Sequence, residues 1–303
     1  MEIIQNPLKI ERIDTFAGHQ GAIYALTQGE ESHEIYSAGS DGWVVEWNLQ
    51  KPDLGKVVAQ ITGSVYAMAF DQTRGILWVG QNFEGIHGIL VTDQSRVFSI
   101  QLPALSIYAI QIVDGQVWLG HQDGLITVID QATQAIKKRI KSGDSNIRSF
   151  CVLGNQLIAV GSSDGFIRLF DLEFNLKNAW KAHATTVFSL LNQPESGTIV
   201  SVGRDAYLKK WNLLGELIGD EVPAHIYSIN TLVQSPCGNY LATGSMDKTI
   251  KIWDSETLRL LKVLDYARYG GHKNSINRLI WTSYHDLLVS ASDDKNISVW
   301  KID

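Results

Sequence analysis

The strongest constraint on this chain is that it repeats itself. Seven short stretches share one pattern: "AIYAL" from Ala22, "SVYAM" from Ser64, "SIYAI" from Ser106, "NIRSF" from Asn146, "TVFSL" from Thr186, "SINTL" from Ser228 and "SINRL" from Ser275. Each joins a small or polar residue to Ile or Val and then to a variable side chain. The variable positions are Tyr24, Tyr66, Tyr108, Arg148, Phe188, Asn230 and Asn277, separated by 42, 42, 40, 40, 42 and 47 residues. Seven units of about 43 residues span nearly the whole chain, and a fixed period of this size means an array of like structural units.

Each unit carries a second landmark: a short apolar run, an acidic turn, then an alternating run. The turns are "SDG" at Ser40, "QDG" at Gln122, "SDG" at Ser163, "RDA" at Arg204, "MDK" at Met246 and "DDK" at Asp293. Asp-Gly between two β-patterned runs predicts a hairpin with a type I′ turn. The runs after the turns, such as "TIKIWD" from Thr249 and "NISVWK" from Asn296, alternate with period two and are rich in Val, Ile and Trp, which reads as strand. No segment sustains a helical period. About four short strands per unit of this length point to propeller blades.

"ATGSMDKTIKIWD", from Ala242 to Asp254, closely resembles the consensus of WD-repeat β-propellers, and the resemblance extends over essentially all of the 303 residues. It implies an all-β, seven-bladed propeller with four-stranded antiparallel blades in a single domain. The blades would run roughly over 18–60, 61–102, 103–141, 142–181, 182–221, 222–264 and 265–303. The last blade lacks a fourth strand after "ISVWKID", and "PLKIERID" (Pro7 to Asp14) has the alternation to supply it. We expect this N-terminal strand to close the ring as the outermost strand of the seventh blade, covering an open edge.

The resemblance also implies a buried tetrad of His, Ser or Thr, Asp and Trp in each regular blade. The chain supplies four full sets: His19, Ser37, Asp41 and Trp47; His183, Ser201, Asp205 and Trp211; His225, Thr243, Asp247 and Trp253; His272, Ser290, Asp294 and Trp300. In every set the hydroxyl residue lies four before the Asp and the Trp six after it. A Ser, a His and an Asp invite a catalytic-triad reading, but fourfold recurrence with a Trp marks a structural relay, in which each buried polar group finds a partner. Blades two to four depart from the pattern. Blade three keeps Asp123 with Leu119 and Ile129 at the hydroxyl and Trp positions, and blade four keeps Asp164 with Val160 and Phe170. Blade two has Glu84 with Gly85, and Leu90 in the Trp position. With no His ahead of these three, we expect apolar packing in place of the relay.

Composition narrows the function classes. The net charge of −6 and pI near 5.8 argue against a nucleic-acid binder. Cys151 and Cys237 form neither a disulfide framework nor a metal motif, and the remaining histidines, His33, His87, His121 and His285, have no ligand spacing, so no metal and no cofactor are expected. The N-terminus is too polar for a signal peptide and no apolar run is long enough to span a membrane. The expectation is a bare propeller, cytoplasmic, with no membrane association and an oligomeric state the sequence does not encode.

In propellers of this family, by resemblance, the variable residue and the residue before the turn Asp stand at the top of the central channel. The expected ring is Tyr24, Tyr66, Tyr108, Arg148, Phe188, Asn230 and Asn277, with Arg204, Met246 and Asp293 among the turn positions. It is rich in the aromatic, Arg and Met side chains favoured at interface hot spots. Arg148 and Arg204 suggest reception of one acidic or phosphorylated residue. The reading is a non-catalytic scaffold or adaptor that binds a peptide or protein on this face. Two alternatives stay open: a small-molecule-binding or hydrolytic propeller using the channel mouth, and a purely architectural subunit whose aromatics only plug the channel.

Overall fold

The structure, a computed structural model, describes residues 8–52, 55–154 and 156–303. Seven four-stranded antiparallel sheets stand around a central axis. Their innermost strands are Ile23–Gln28, Met68–Asp71, Ile107–Val113, Ile147–Leu153, Val187–Gln193, Ile229–Gln234 and Ile276–Trp281. Each packs against the innermost strand on either side, and the seventh returns to the first, so the ring is closed.

Each blade is too thin to bury both its faces alone, so the core lies in the seams. Seven apolar clusters fill them, one per pair of neighbouring blades. Trp78 and Ile86 of blade two meet Val117 and Leu119 of blade three. Ile23, Leu26 and Trp47 of blade one meet Val289, Ile297 and Val299 of blade seven. Burying a single side chain of this size contributes about 1.5–3 kcal/mol, so each seam is a substantial bond between blades.

Blade seven is completed by the N-terminus. Ile10–Ala17 pairs antiparallel with Asn296–Ile302, from Ile10 opposite Ile302 to Ala17 opposite Asn296. The strand begins and ends three residues later than its alternation in the sequence indicated, and Pro7 lies outside the described residues. The shift has a visible cause: a bulge between Arg12 and Asp14 changes the register, and Phe16 is thereby buried and stacked on Trp47 of blade one, centroids 5.3 Å apart. Thr15 to Ala17 thus join the sheet that the sequence pattern ended at Asp14.

The b–c turns differ from the type I′ expectation. A type I′ turn needs two left-handed residues, and only blade three has them, with Asp123 at φ 67° and Gly124 at φ 80°. In blades one, four, five, six and seven only the residue after the Asp is left-handed: Gly42, Gly165, Ala206, Lys248 and Lys295. The Asp side chain accounts for this. Asp41 Oδ1 accepts the N–H of Trp43 at 3.1 Å, and Asp247 Oδ1 accepts that of Thr249 at 3.0 Å. The carboxylate closes the turn over its own backbone and leaves one residue to complete the reversal.

Candidate interaction face at the channel mouth

The end of the ring that carries the b–c turns is pinned by the four tetrads. In blade one, Trp47 Nε1 donates to Ser37 Oγ at 2.7 Å, His19 Nε2 meets the same hydroxyl at 2.7 Å, and His19 Nδ1 meets Asp41 Oδ2 at 2.8 Å. The corresponding contacts measure 2.8–2.9 Å in the sets of His183, His225 and His272. Burial pushes the His225 imidazole toward neutrality. Burial also pushes Asp247 up, but hydrogen bonds and charge from His225 and Thr249 outweigh it and hold the carboxyl well below its usual range. The relay ties the loop entering a blade to its two middle strands.

Blades two to four do not replace the relay with apolar packing alone. Blade two holds His87, with Nε2 2.5 Å from Gln81 Oε1 and Nδ1 2.8 Å from Ser99 Oγ. Blade three holds His121 Nε2 3.0 Å from Thr127 Oγ1. In blade four Arg168 forks onto Asp164 and Ser162, with Nη2 2.6 Å from Asp164 Oδ2 and Nη1 2.7 Å from Ser162 Oγ. Gln81, His87, His121, Thr127, Ser162 and Arg168 belong to the middle strands of their blades, Ser99 to the outermost strand of blade two and Asp164 to the turn of blade four. Without a His on the incoming loop, strand polar groups bind the same buried end of the blade.

The seven variable positions owe their common aim to backbone geometry. In every blade but the second, a register shift falls at this residue: between Ile23 and Ala25, Ile107 and Ala109, Ile147 and Ser149, Val187 and Ser189, Ile229 and Thr231, and Ile276 and Arg278. A bulge re-aims the side chain it carries. In blade two the inner strand starts only at Met68, so Tyr66 stands just ahead of it.

Five of the variable positions form a continuous arc. The rings of Tyr24 and Tyr66 lie 5.0 Å apart and those of Tyr66 and Tyr108 5.6 Å. The Arg148 guanidinium then lies 4.3 Å over Tyr108 and 5.1 Å from Phe188. All five are partly exposed. Burial pushes the Tyr24 phenol up, and the nearby Asp293 charge adds to it.

The other two positions serve the seams. Asn230 donates to Ile276 O at 2.9 Å, from blade six to blade seven. Asn277 donates to Ile23 O at 2.9 Å and to Asp293 Oδ1 at 2.7 Å, from blade seven to blade one. Their amides, and one carboxylate oxygen of Asp293, are therefore already engaged. Arg204 stands exposed on its turn, and no contact joins it to Arg148 among the described residues.

Two features of this face were passed over in the sequence. Ile226 and Tyr227 are 80% and 58% exposed, beside Met246 at 56%. The pairing of Ile229 with Ser245 puts all three at the same end of blade six. The signal was "HIYS", which places two large apolar residues directly after the tetrad His. The second is Arg278. The residue following the variable position reads Ala25, Ala67, Ala109, Ser149, Ser189 and Thr231, then Arg278. Six blades keep it small where the channel narrows, and the seventh puts an arginine there.

Comparison with known proteins agrees with this architecture. The family model described as WD domain, G-beta repeat matches residues 218–254 and 264–301, the two blades with His225 and His272. The IP5P C-F beta-propeller model matches residues 104–211. Striatin of Mus musculus is 22% identical over 82% of this chain and 30% of its own length, and the striatin homolog of Dictyostelium discoideum 23% over 80% and 35%. The U3 small nucleolar RNA-associated protein 15 homolog of Xenopus laevis is 32% identical over 40% of this chain and 24% of its own. The chain thus spans about a third or less of the length of these relatives. The solved WD40 β-propeller domain of Doa1 superposes with a TM-score of 0.85 over 97% of both chains at 17% identity, a likeness of fold alone.

Proposed function

For a chain that carries WD repeats in a seven-bladed propeller, we propose a non-catalytic protein-interaction module that binds a peptide or protein on the channel-mouth face. The observation that carries this reading is the unbroken arc from Tyr24 through Tyr66, Tyr108 and Arg148 to Phe188. It is an aromatic surface with a cation between its last two rings, and four of its five members are held at fixed points by bulges. Ile226, Tyr227 and Met246 extend it with exposed apolar area on the same face. The partner segment brings an aromatic or aliphatic anchor for the arc and an acidic or phosphorylated residue for Arg148 or Arg204. The striatin-like relatives support a scaffold role. The test is capture from native lysate by the wild type and by Tyr66→Ala with Tyr108→Ala. Loss of partners from a folded double variant supports the reading, and an unchanged partner set places the binding surface elsewhere.

A further inference from the structure

We propose that the central channel holds a small oxyanion of the phosphate class, bound between Arg278 and Arg148. This inference goes beyond the partner-binding reading and does not depend on it. The site lies inside the ring and shares Arg148 with the arc, but Arg278 is not part of the arc.

The channel encloses a cavity of about 220 Å³, lined by the inner strands of six blades. At about 10–15 Å³ per water that is ample room for an oxyanion and several waters. Its polar lining is Gln111, Arg148, Ser149, Ser189, Thr231 and Arg278, and the rest is apolar. Among the described residues no carboxylate lines it. Two guanidinium groups therefore share one lumen without a counter-charge. Neither makes an ion pair or a side-chain hydrogen bond among the described residues. Arg148 is covered on one side by the Tyr108 and Phe188 rings. Arg278 has no such cover.

An arginine stays charged under all ordinary conditions, so the protein cannot relieve this arrangement by losing a proton. Burial disfavours the charge on Arg278, and the Arg148 charge adds to the cost. Both side chains are part-buried, and a part-buried charge without a counter-charge carries a desolvation cost that nothing in the lumen repays. A tetrahedral oxyanion offers several acceptor oxygens to two guanidinium forks and neutralises both charges at once. The pattern of the sequence adds to the case. Six blades place Ala, Ser or Thr at this point of the inner strand, which leaves the lumen open in front of the single Arg278.

The experiment is thermal unfolding of the wild type and of Arg278→Met in sodium phosphate and in glycerol 3-phosphate, each against sodium chloride of matched ionic strength. The expected result is a Tm several degrees higher in phosphate or its ester than in chloride for the wild type, and no such difference for Arg278→Met. In chloride the variant should melt no lower than the wild type, because it loses one of two repelling charges. A response to inorganic phosphate alone marks the source as the free ion, and a stronger response to the ester marks a monoester. No difference between phosphate and chloride for the wild type overturns the proposal. So does a phosphate response that survives in Arg278→Met.

Discussion

Arg148 of blade four lies over the ring of Tyr108 in blade three, with its guanidinium carbon 4.3 Å from the ring centroid. The contact joins two blades across the channel mouth and also touches Phe188 of blade five. A planar cation this close to an aromatic ring is worth about 0.5–2 kcal/mol, depending on how far it is desolvated. Burial disfavours its charge, and the two neighbouring tyrosines Tyr108 and Tyr66 offset part of that cost. The arc is therefore pre-ordered, and a partner docking on it loses little side-chain entropy.

Replacing Tyr66 and Tyr108 together by Ala removes the middle of the arc without entering a seam core. Partner capture should fall at least tenfold while the melting temperature moves by only a few degrees. Titration of a captured partner by calorimetry gives the first number and a thermal scan the second.

Ring closure should depend on Phe16. Its ring is buried and stacked on Trp47 of the first blade, so it joins the two ends of the chain. Phe16→Ala should cost about 3–5 kcal/mol, the usual range for a buried phenylalanine. Urea unfolding within 1 kcal/mol of wild type would mean that the N-terminal strand does not latch the ring.

Ser37→Ala leaves the Trp47 indole N–H and His19 Nε2 without partners inside blade one. At about 1–3 kcal/mol per stranded group, the loss should be roughly 2–6 kcal/mol. An equilibrium unfolding curve that superposes on wild type would rule out a structural relay.

Acid should weaken the fold in two steps. Burial pushes the His121 imidazole down to about 4, the Asp123 charge only partly offsets this, and Arg139 adds to it. A histidine depressed in the folded state binds its proton more readily when unfolded. Stability is therefore full above the unfolded value of about 6.5 and falls as pH drops from there toward 4, by about 3 kcal/mol from this group. His87 and His225 are depressed as well and act in the same direction. The depressed carboxyls act lower. Asp164, held at about 2 against its burial by Arg168 and Ser162, loses its contribution only as pH falls from about 4 to 2. His121→Gln should flatten the upper limb and leave the lower one, as read from unfolding midpoints between pH 7 and 3.

The turns give a paired test. A Cβ at Gly42 would fall 2.0 Å from Ile61 O, on a backbone already left-handed at φ 72°. Gly42→Ala should destabilise by about 2 kcal/mol or more. Ala206 occupies the corresponding left-handed site in blade five at φ 68° with its Cβ already accommodated. Ala206→Gly should therefore stabilise by about 0.5–1 kcal/mol. Opposite signs in a denaturant series are the expected outcome, and equal signs would show that turn strain does not control these positions.

Repetition and alternation by themselves determined the number of units and their strand content, and the resemblance to WD repeats supplied the blade architecture and the members of the four tetrads. These depend on local spacing, which seven copies display side by side. The recurring tyrosines could likewise be placed on one ring, because the same point of each unit must fall at the same height. Other features depended on contacts between distant parts of the chain. The bulge near Arg12 that buries Phe16 is set by packing against blade one. The polar clusters of His87, His121 and Arg168 use strand positions that carry no shared motif, so nothing marked them as substitutes for the relay. Asn230 and Asn277 look like the other ring residues in sequence, and only the neighbouring blade's carbonyls turn them into seam clamps. Arg278 is a lone exception in a column of small residues. Its meaning appears only when ring closure sets it in one lumen with Arg148 and, among the described residues, no carboxylate, because charge becomes costly or useful according to what the fold places around it.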